Sequence, residues 1–139
     1  MYVIIMGCGR VGARLAKLLV NAGHEVTIMD LTASAFDRLG SDFTGNTMVG
    51  NGIDLEVLVK AGIERADAFA AVTQGDNRNI MAAQIAKYIY NVPRVVTRIY
   101  DPIRQDTFKA LGLDAISPTI IGAQVFYTML TGEESQENV

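Results

Sequence analysis

Three glycines placed between a buried strand and a helix constrain this chain more than any other feature. The segment "MYVIIMGCGRVGARLAKLL" runs from an apolar stretch through Gly7, Gly9 and Gly12 into a helical pattern. Each glycine of a GxGxxG turn has a separate task. Gly7 permits the tight bend, Gly9 lets a pyrophosphate approach the backbone without a Cβ in the way, and Gly12 lets the helix lie close to the sheet. The first helical turn then directs unpaired N–H groups at an anion.

Alone, the pattern is shared by structural strand-to-helix turns. Its context is more specific, because Asp30 closes the next β-rich run and a carboxylate there accepts hydrogen bonds from a ribose diol. The run after Asp30, "LTASAF", carries no arginine to pair with a 2′-phosphate, which favours NAD over NADP. ATP, ADP and AMP share that ribose and stay open as ligands.

Apolar runs at Tyr2 to Met6, Val26 to Met29, Thr47 to Val49, Ala68 to Val72, Val95 to Ile99 and Asp114 to Ile116 alternate with helical segments. Such alternation predicts an α/β fold with a parallel sheet. The first, fourth and fifth runs are apolar throughout, as expected of strands covered on both faces. The spacing predicts helices from Val11 to Asn21, with apolar positions 11, 15, 18 and 19 and a Gly23 cap, and from Asp76 or Asn77 towards Pro93, with a stripe at 81, 85 and 89. Shorter elements are expected at 31–39 and 55–61.

The ligand crevice of an open α/β sheet lies at the carboxyl ends of the strands. There the six runs deliver Gly7 to Arg10, Asp30, Asn51, Thr73, Arg98 and Ser117. Arg10 either reaches a terminal phosphate or is solvated. Arg98 either binds ligand or pairs with an acid such as Asp101, the pair being slightly favoured. Asn51 contacts adenine or ribose, or serves turn chemistry. Thr73 caps or contacts ligand. Cys8 is expected as a small space-filler rather than a redox sensor.

The 139 residues suit one domain. Lacking a second cysteine, the chain forms no internal disulfide, and it shows no secretory signal, both fitting a reducing cytoplasm. A net charge of -3 argues against a nucleic-acid surface. The single histidine, His24, falls in the turn before the second run, at the opposite edge of the sheet, so neither a transition-metal site nor a Ser/His/Asp or Cys/His set is assembled.

From Thr119 to Leu130, Ile121, Val125 and Met129 form a helical stripe widened by Phe126 and Leu130. The helix is too short to span a bilayer and is expected to dock onto a second subunit, the alternative being its own sheet. The domain is thus read as 1–131, with an interface helix at 119–130 and a flexible tail at 132–139.

The stretches "MGCGRVGARLAKLL", "VTIMD", "VGNGIDLEVLVKAGIERADAFAAVT", "DNRNIMAAQIAK", "VTRIYDP" and "LGLDAISP" resemble the nucleotide-binding N-terminal domain of Trk and Ktr potassium-uptake regulators, the KTN or RCK N-lobe. The resemblance implies a Rossmann-type doubly wound sheet of six parallel strands, order 3-2-1-4-5-6, with helices on both faces. It also implies a cytoplasmic protein that binds NAD(H) or an adenine nucleotide as a signal. Such domains form dimers and rings beneath a potassium channel or transporter. The family's binding positions correspond to Gly7, Gly9, Arg10, Gly12, Asp30, Asn51, Thr73 and Arg98, and Cys8, Val11, Leu31 and Gly52 complete the candidate site. Asn51 stands where the family commonly has Asp, Thr119 where it often has Glu, and the C-terminal RCK lobe is missing from these residues. An NAD-dependent oxidoreductase domain and a scaffold that binds nothing are the competing readings.

Overall fold

The computed structural model describes residues 1–136. Six strands, β1 (Tyr2–Met6), β2 (Glu25–Asp30), β3 (Asn46–Val49), β4 (Ala68–Ala71), β5 (Arg94–Arg98) and β6 (Asp114–Ile116), form one sheet in the order β3-β2-β1-β4-β5-β6. Every pairing is parallel. The expected topology is therefore present, with its reversal of direction between β1 and β4.

Helices α1 (Arg10–Asn21), α2 (Leu55–Ala61), α3 (Asp76–Gln84), α4 (Gln105–Ala110) and α5 (Pro118–Thr131) connect or follow the strands. All five residues of β1 are buried, which explains its unbroken apolar run. Ile4 and Met6 join Phe69, Leu58, Ala82 and Phe108 in one core, while Val3 and Ile5 join Ala13, Ala16, Val26 and Ile28 in another. Each is a separate apolar layer, on opposite faces of the sheet.

Three local expectations need correction. The 31–39 segment is a 3-10 helix over Ala33–Leu39 rather than an α-helix. Second, the stripe expected at 81, 85 and 89 is not the buried face: Met81 and Ile89 are exposed, and Asn79, Ala82, Ala83, Ile85 and Ala86 are buried. A π-helical turn at Ile85–Ile89 follows α3 and breaks the 3.6-residue period on which that stripe was drawn. Third, the N-cap of α3 is Gly75, without a side-chain cap, because Asp76 faces the loop after β5 instead. α4 had no counterpart in the sequence reading.

The sixth-strand end is covered on one face only. Val96 pairs in register with Ala70, which pairs with Ile5, so Val96 lies on the α1 side of the sheet. It is exposed there, as is Ile116 of β6. α5 starts at Ser117, whose hydroxyl accepts from the Ile120 N–H at 3.3 Å, and ends at Gly132 with φ of 73°. No residue of α5 is buried. The last three residues of the expected tail, 137–139, lie outside the described residues.

Candidate functional site

The glycine turn has the geometry its spacing predicts. Gly7, at φ of +111°, donates its N–H to the Met29 carbonyl at 2.8 Å, and a Cβ on it would lie 2.9 Å from the Thr73 nitrogen. This tight approach joins the ends of β1, β2 and β4. A Cβ on Gly12 would stand 1.8 Å from the Gly7 carbonyl oxygen, whereas one on Gly9 would meet nothing within 4 Å. Gly12 thus serves helix packing, and Gly9 keeps the backbone open to the crevice. α1 begins without a side-chain cap or an acidic residue in its first turn, so its orphan N–H groups are available to an anion.

Asp30 is bound to this turn. Its Oδ2 accepts from the Cys8 N–H at 2.9 Å and its Oδ1 from the Thr32 N–H at 3.0 Å. The Cys8 carbonyl accepts from Arg38 Nη1 at 3.4 Å, and the Cys8 thiol donates to the Ala35 carbonyl at 3.4 Å. Residue 8 is held on three sides by the segment that leaves β2. Burial, and then the Asp30 charge, push the Cys8 thiol above the usual thiol range, with Arg38 and Lys17 opposing. A neutral, buried thiol is the space-filler expected rather than a redox sensor.

Across the reversal point, Asn79 ties β4 to β5. Fully buried, it accepts from the Thr73 N–H at 3.0 Å and the Thr73 hydroxyl at 2.7 Å, and its Nδ2 donates to the Thr73 and Arg98 carbonyls at 2.9 and 3.1 Å. The Asp76 carboxylate accepts from the N–H groups of Tyr100 and Asp101 at 2.6 and 2.9 Å. The favoured Arg98–Asp101 pair is not formed: the Asp101 carboxylate caps the Ile103 N–H at 3.1 Å. Arg98 instead lies 5.3 Å from the Tyr100 ring centroid. Among the described residues its buried Nε has no hydrogen-bond partner.

These groups surround one cleft of about 1160 Å³. Of the residues predicted from sequence, Gly7, Cys8, Gly9, Arg10, Val11, Asp30, Leu31, Asn51, Gly52, Thr73 and Arg98 line it. Gly12 stands behind the wall, and Ser117 caps α5 away from it. Asn51 serves turn chemistry at least in part, its Oδ1 accepting from the Ile53 N–H at 3.2 Å. Arg38, Arg78 and Tyr100 also line the cleft and were missed. Arg78 follows a recognisable helix start, but Arg38 is delivered by a 3-10 turn that has no periodic signature.

The lining carries Arg10, Arg38, Arg78 and Arg98 against Asp30 and Asp37, an excess of positive charge that suits a phosphorylated ligand. His24 is not part of the lining. Among the described residues, no group of three or more His, Cys, Asp or Glu could hold a metal ion.

Comparison with known proteins agrees with this geometry. The family described as the TrkA-N domain matches residues 3–118. The "Trk system potassium uptake protein TrkA" of Streptomyces coelicolor is 47% identical over 117 residues, covering 84% of this chain and 52% of that protein. The chain thus spans about half of that relative's length. Among solved structures, the TrkA-N domain of the inner membrane protein ybaL from Escherichia coli superposes with a TM-score of 0.82 at 15% identity, covering 93% of this chain and 96% of that one. The GsuK channel bound to NAD gives 0.80 at 24% identity, covering 93% and 23%. At these identities the likeness establishes the fold.

Proposed function

The chain belongs to the TrkA-N domain family, and from that membership we propose that it is a non-enzymatic nucleotide sensor of a potassium transport system. The observation that carries this reading is the cleft itself, where the Gly9 backbone and the uncapped start of α1 lie beside Asp30 and four arginines. Its ligand is NAD(H) or an adenine nucleotide, ATP, ADP or AMP. The relative named for potassium uptake and the structural neighbour bound to NAD support that choice.

The pyrophosphate sits on the amides between Gly9 and Gly12, and the adenosine ribose lies against Asp30 and Leu31. Asn51 and Gly52 border the adenine side, and Arg10 and Arg98 face the phosphates. A ligand changes an assembly only through different affinities for its two states. Because the glycine turn is bonded to the 31–38 segment through Cys8, ligand on the turn is felt along the β2 side of the domain.

The assembly is a homodimer or larger ring joined through α5, set at the cytoplasmic face of the membrane against a potassium channel or transporter subunit. α5 presents Phe126 and Leu130 at 69% and 85% exposure, while Val96 and Ile116 are exposed on the α1 side of the sheet. Together they offer the two halves of an apolar contact between copies. No described helix is long and apolar enough to cross a membrane, so the domain acts on the pore through its partner.

Calorimetric titration with NAD, NADH, ATP, ADP and AMP tests the sensor. At least one is expected to bind, and Asp30→Ala to weaken it. Failure of all five to bind leaves a scaffold and ends this reading.

A further inference from the structure

The cleft extends well beyond what a mononucleotide needs. Asp30 ends β2 and Arg98 ends β5, with β1 and β4 between them, so the two termini are roughly 14 Å apart at the usual strand spacing. Adenosine at Asp30 with its phosphates on the Gly9 turn fills the space over β2 and β1. The ends of β4 and β5 remain.

That remaining floor is fixed and its charged groups lack partners. The Tyr100 N–H is held by Asp76 at 2.6 Å and the Arg98 carbonyl by Asn79 at 3.1 Å. Tyr100 lines the cleft at 57% exposure, a large aromatic surface left in water. The Arg98 guanidinium lies beside that ring, yet its buried Nε has no partner among the described residues. The described ion pair, Arg65–Glu25, lies elsewhere, so neither Arg98 nor the neighbouring Arg78 is neutralised by a carboxylate. A buried unpaired donor is costly unless a ligand satisfies it. An aromatic ring beside unpaired guanidinium groups suits a ligand part that is both planar and phosphate-linked.

We propose that Tyr100 and Arg98 form a second-nucleoside subsite that makes this cleft select a dinucleotide, whose pyrophosphate carries a second planar ring, over mononucleotides. The inference rests on the nucleotide reading above and narrows it. The second ring stacks on Tyr100, and the phosphate or ribose oxygens next to it accept from Arg98 and Arg78.

The test titrates the 139-residue chain with NAD, NADH, ATP, ADP and AMP, in wild type, Tyr100→Leu and Tyr100→Phe. Loss of one base–aromatic stack weakens binding about tenfold. Tyr100→Leu is therefore expected to lose about that factor for NAD and NADH and less than about twofold for the other three, and Tyr100→Phe to retain wild-type affinity. In the wild-type NAD complex, proton NMR is expected to show the nicotinamide ring protons shifted upfield by the tyrosine, a readout that needs no variant. Equal losses for all ligands, unchanged NAD affinity in Tyr100→Leu, unshifted nicotinamide protons, or a wild type that binds only mononucleotides each overturn the proposal and leave the sensor standing. A wild type that binds none of the five removes both.

Discussion

The Asp30 carboxylate accepts the Cys8 N–H at 2.9 Å, so the acid placed to receive a ribose also holds the glycine turn in shape. Its other oxygen accepts from Thr32, and each oxygen keeps a second lone pair for ligand. Two functions on one side chain separate under mutation. Asp30→Ala removes the acceptor of two backbone donors and is expected to lower stability by about 1–3 kcal/mol, besides weakening nucleotide binding. Asp30→Asn keeps one acceptor oxygen and should recover part of the stability while losing the charge that favours the diol. Urea denaturation beside calorimetry measures both quantities, and wild-type stability in Asp30→Ala contradicts the clasp.

Gly9 and Gly12 look equivalent in the sequence and are opposite in space. Gly12→Ala drives a methyl to 1.8 Å from the Gly7 carbonyl, forcing α1 off the sheet, and is expected to cost more than about 3 kcal/mol or to prevent folding. Gly9→Ala meets no atom within 4 Å and should fold with stability within about 1 kcal/mol of wild type, yet lose nucleotide affinity because the methyl occupies the anion's approach. Thermal melts with and without ligand distinguish the two. A Gly9→Ala protein that still binds tightly would place the phosphates elsewhere.

The sheet was legible because its signals are local: apolar runs of strand length, each followed by turn chemistry and a helical period. The adenosine half of the site was legible for the same reason, since Gly7 to Gly12 and Asp30 are read from short spacings. What escaped depends on contacts distant in sequence. Asn79 reads as an ordinary polar helix residue until Thr73 and Arg98 are seen around it. The Arg98–Asp101 pair, drawn from proximity along the chain, is absent because Asp101 turns to cap its own loop. Met81 and Ile89 were assigned to a core stripe by an α-helical period that the π turn interrupts.

Asn79 should prove one of the most sensitive positions in the domain. Its four hydrogen bonds join the ends of β4 and β5, and its removal leaves several of those partners buried. Asn79→Ala is expected to lower stability by about 2–4 kcal/mol, read as a fall in the urea midpoint. Because Arg98 hangs from the same connection, NAD affinity should fall with it. A loss below about 1 kcal/mol would show that water replaces the side chain freely.

Cys8 gives a pH signature. Its folded pKa is raised by burial and by Asp30, so the native state holds the proton more tightly than the unfolded chain. The stability this lends is complete below a free thiol's pKa of about 8.5 and is lost as pH rises through the folded value. Stability of the wild type should therefore decline in mildly alkaline solution more steeply than that of Cys8→Ala, and iodoacetamide should label Cys8 slowly until denaturant is added. Rapid labelling of the native protein at neutral pH would contradict the sealed, neutral thiol.

α5 carries the last prediction. Its exposed residues Val125, Phe126, Met129 and Leu130 lie along a helix with no buried residue, and large apolar patches of this kind mark interaction surfaces. Burying such side chains stabilises by roughly 1.5–3 kcal/mol each, whereas a carboxylate placed among them must be desolvated. Phe126→Asp is thus expected to turn an oligomer into a monomer in sedimentation velocity while leaving the melting temperature of the domain nearly unchanged, because Phe126 supports no core of its own chain. Val96→Asp, on the exposed sheet face, should have the same effect if that face receives the partner's helix. Unaltered oligomer size in both variants, or a monomeric wild type, would remove α5 as the joining element. Dissociation by Phe126→Asp alone would keep the helix and assign it a different receiving surface.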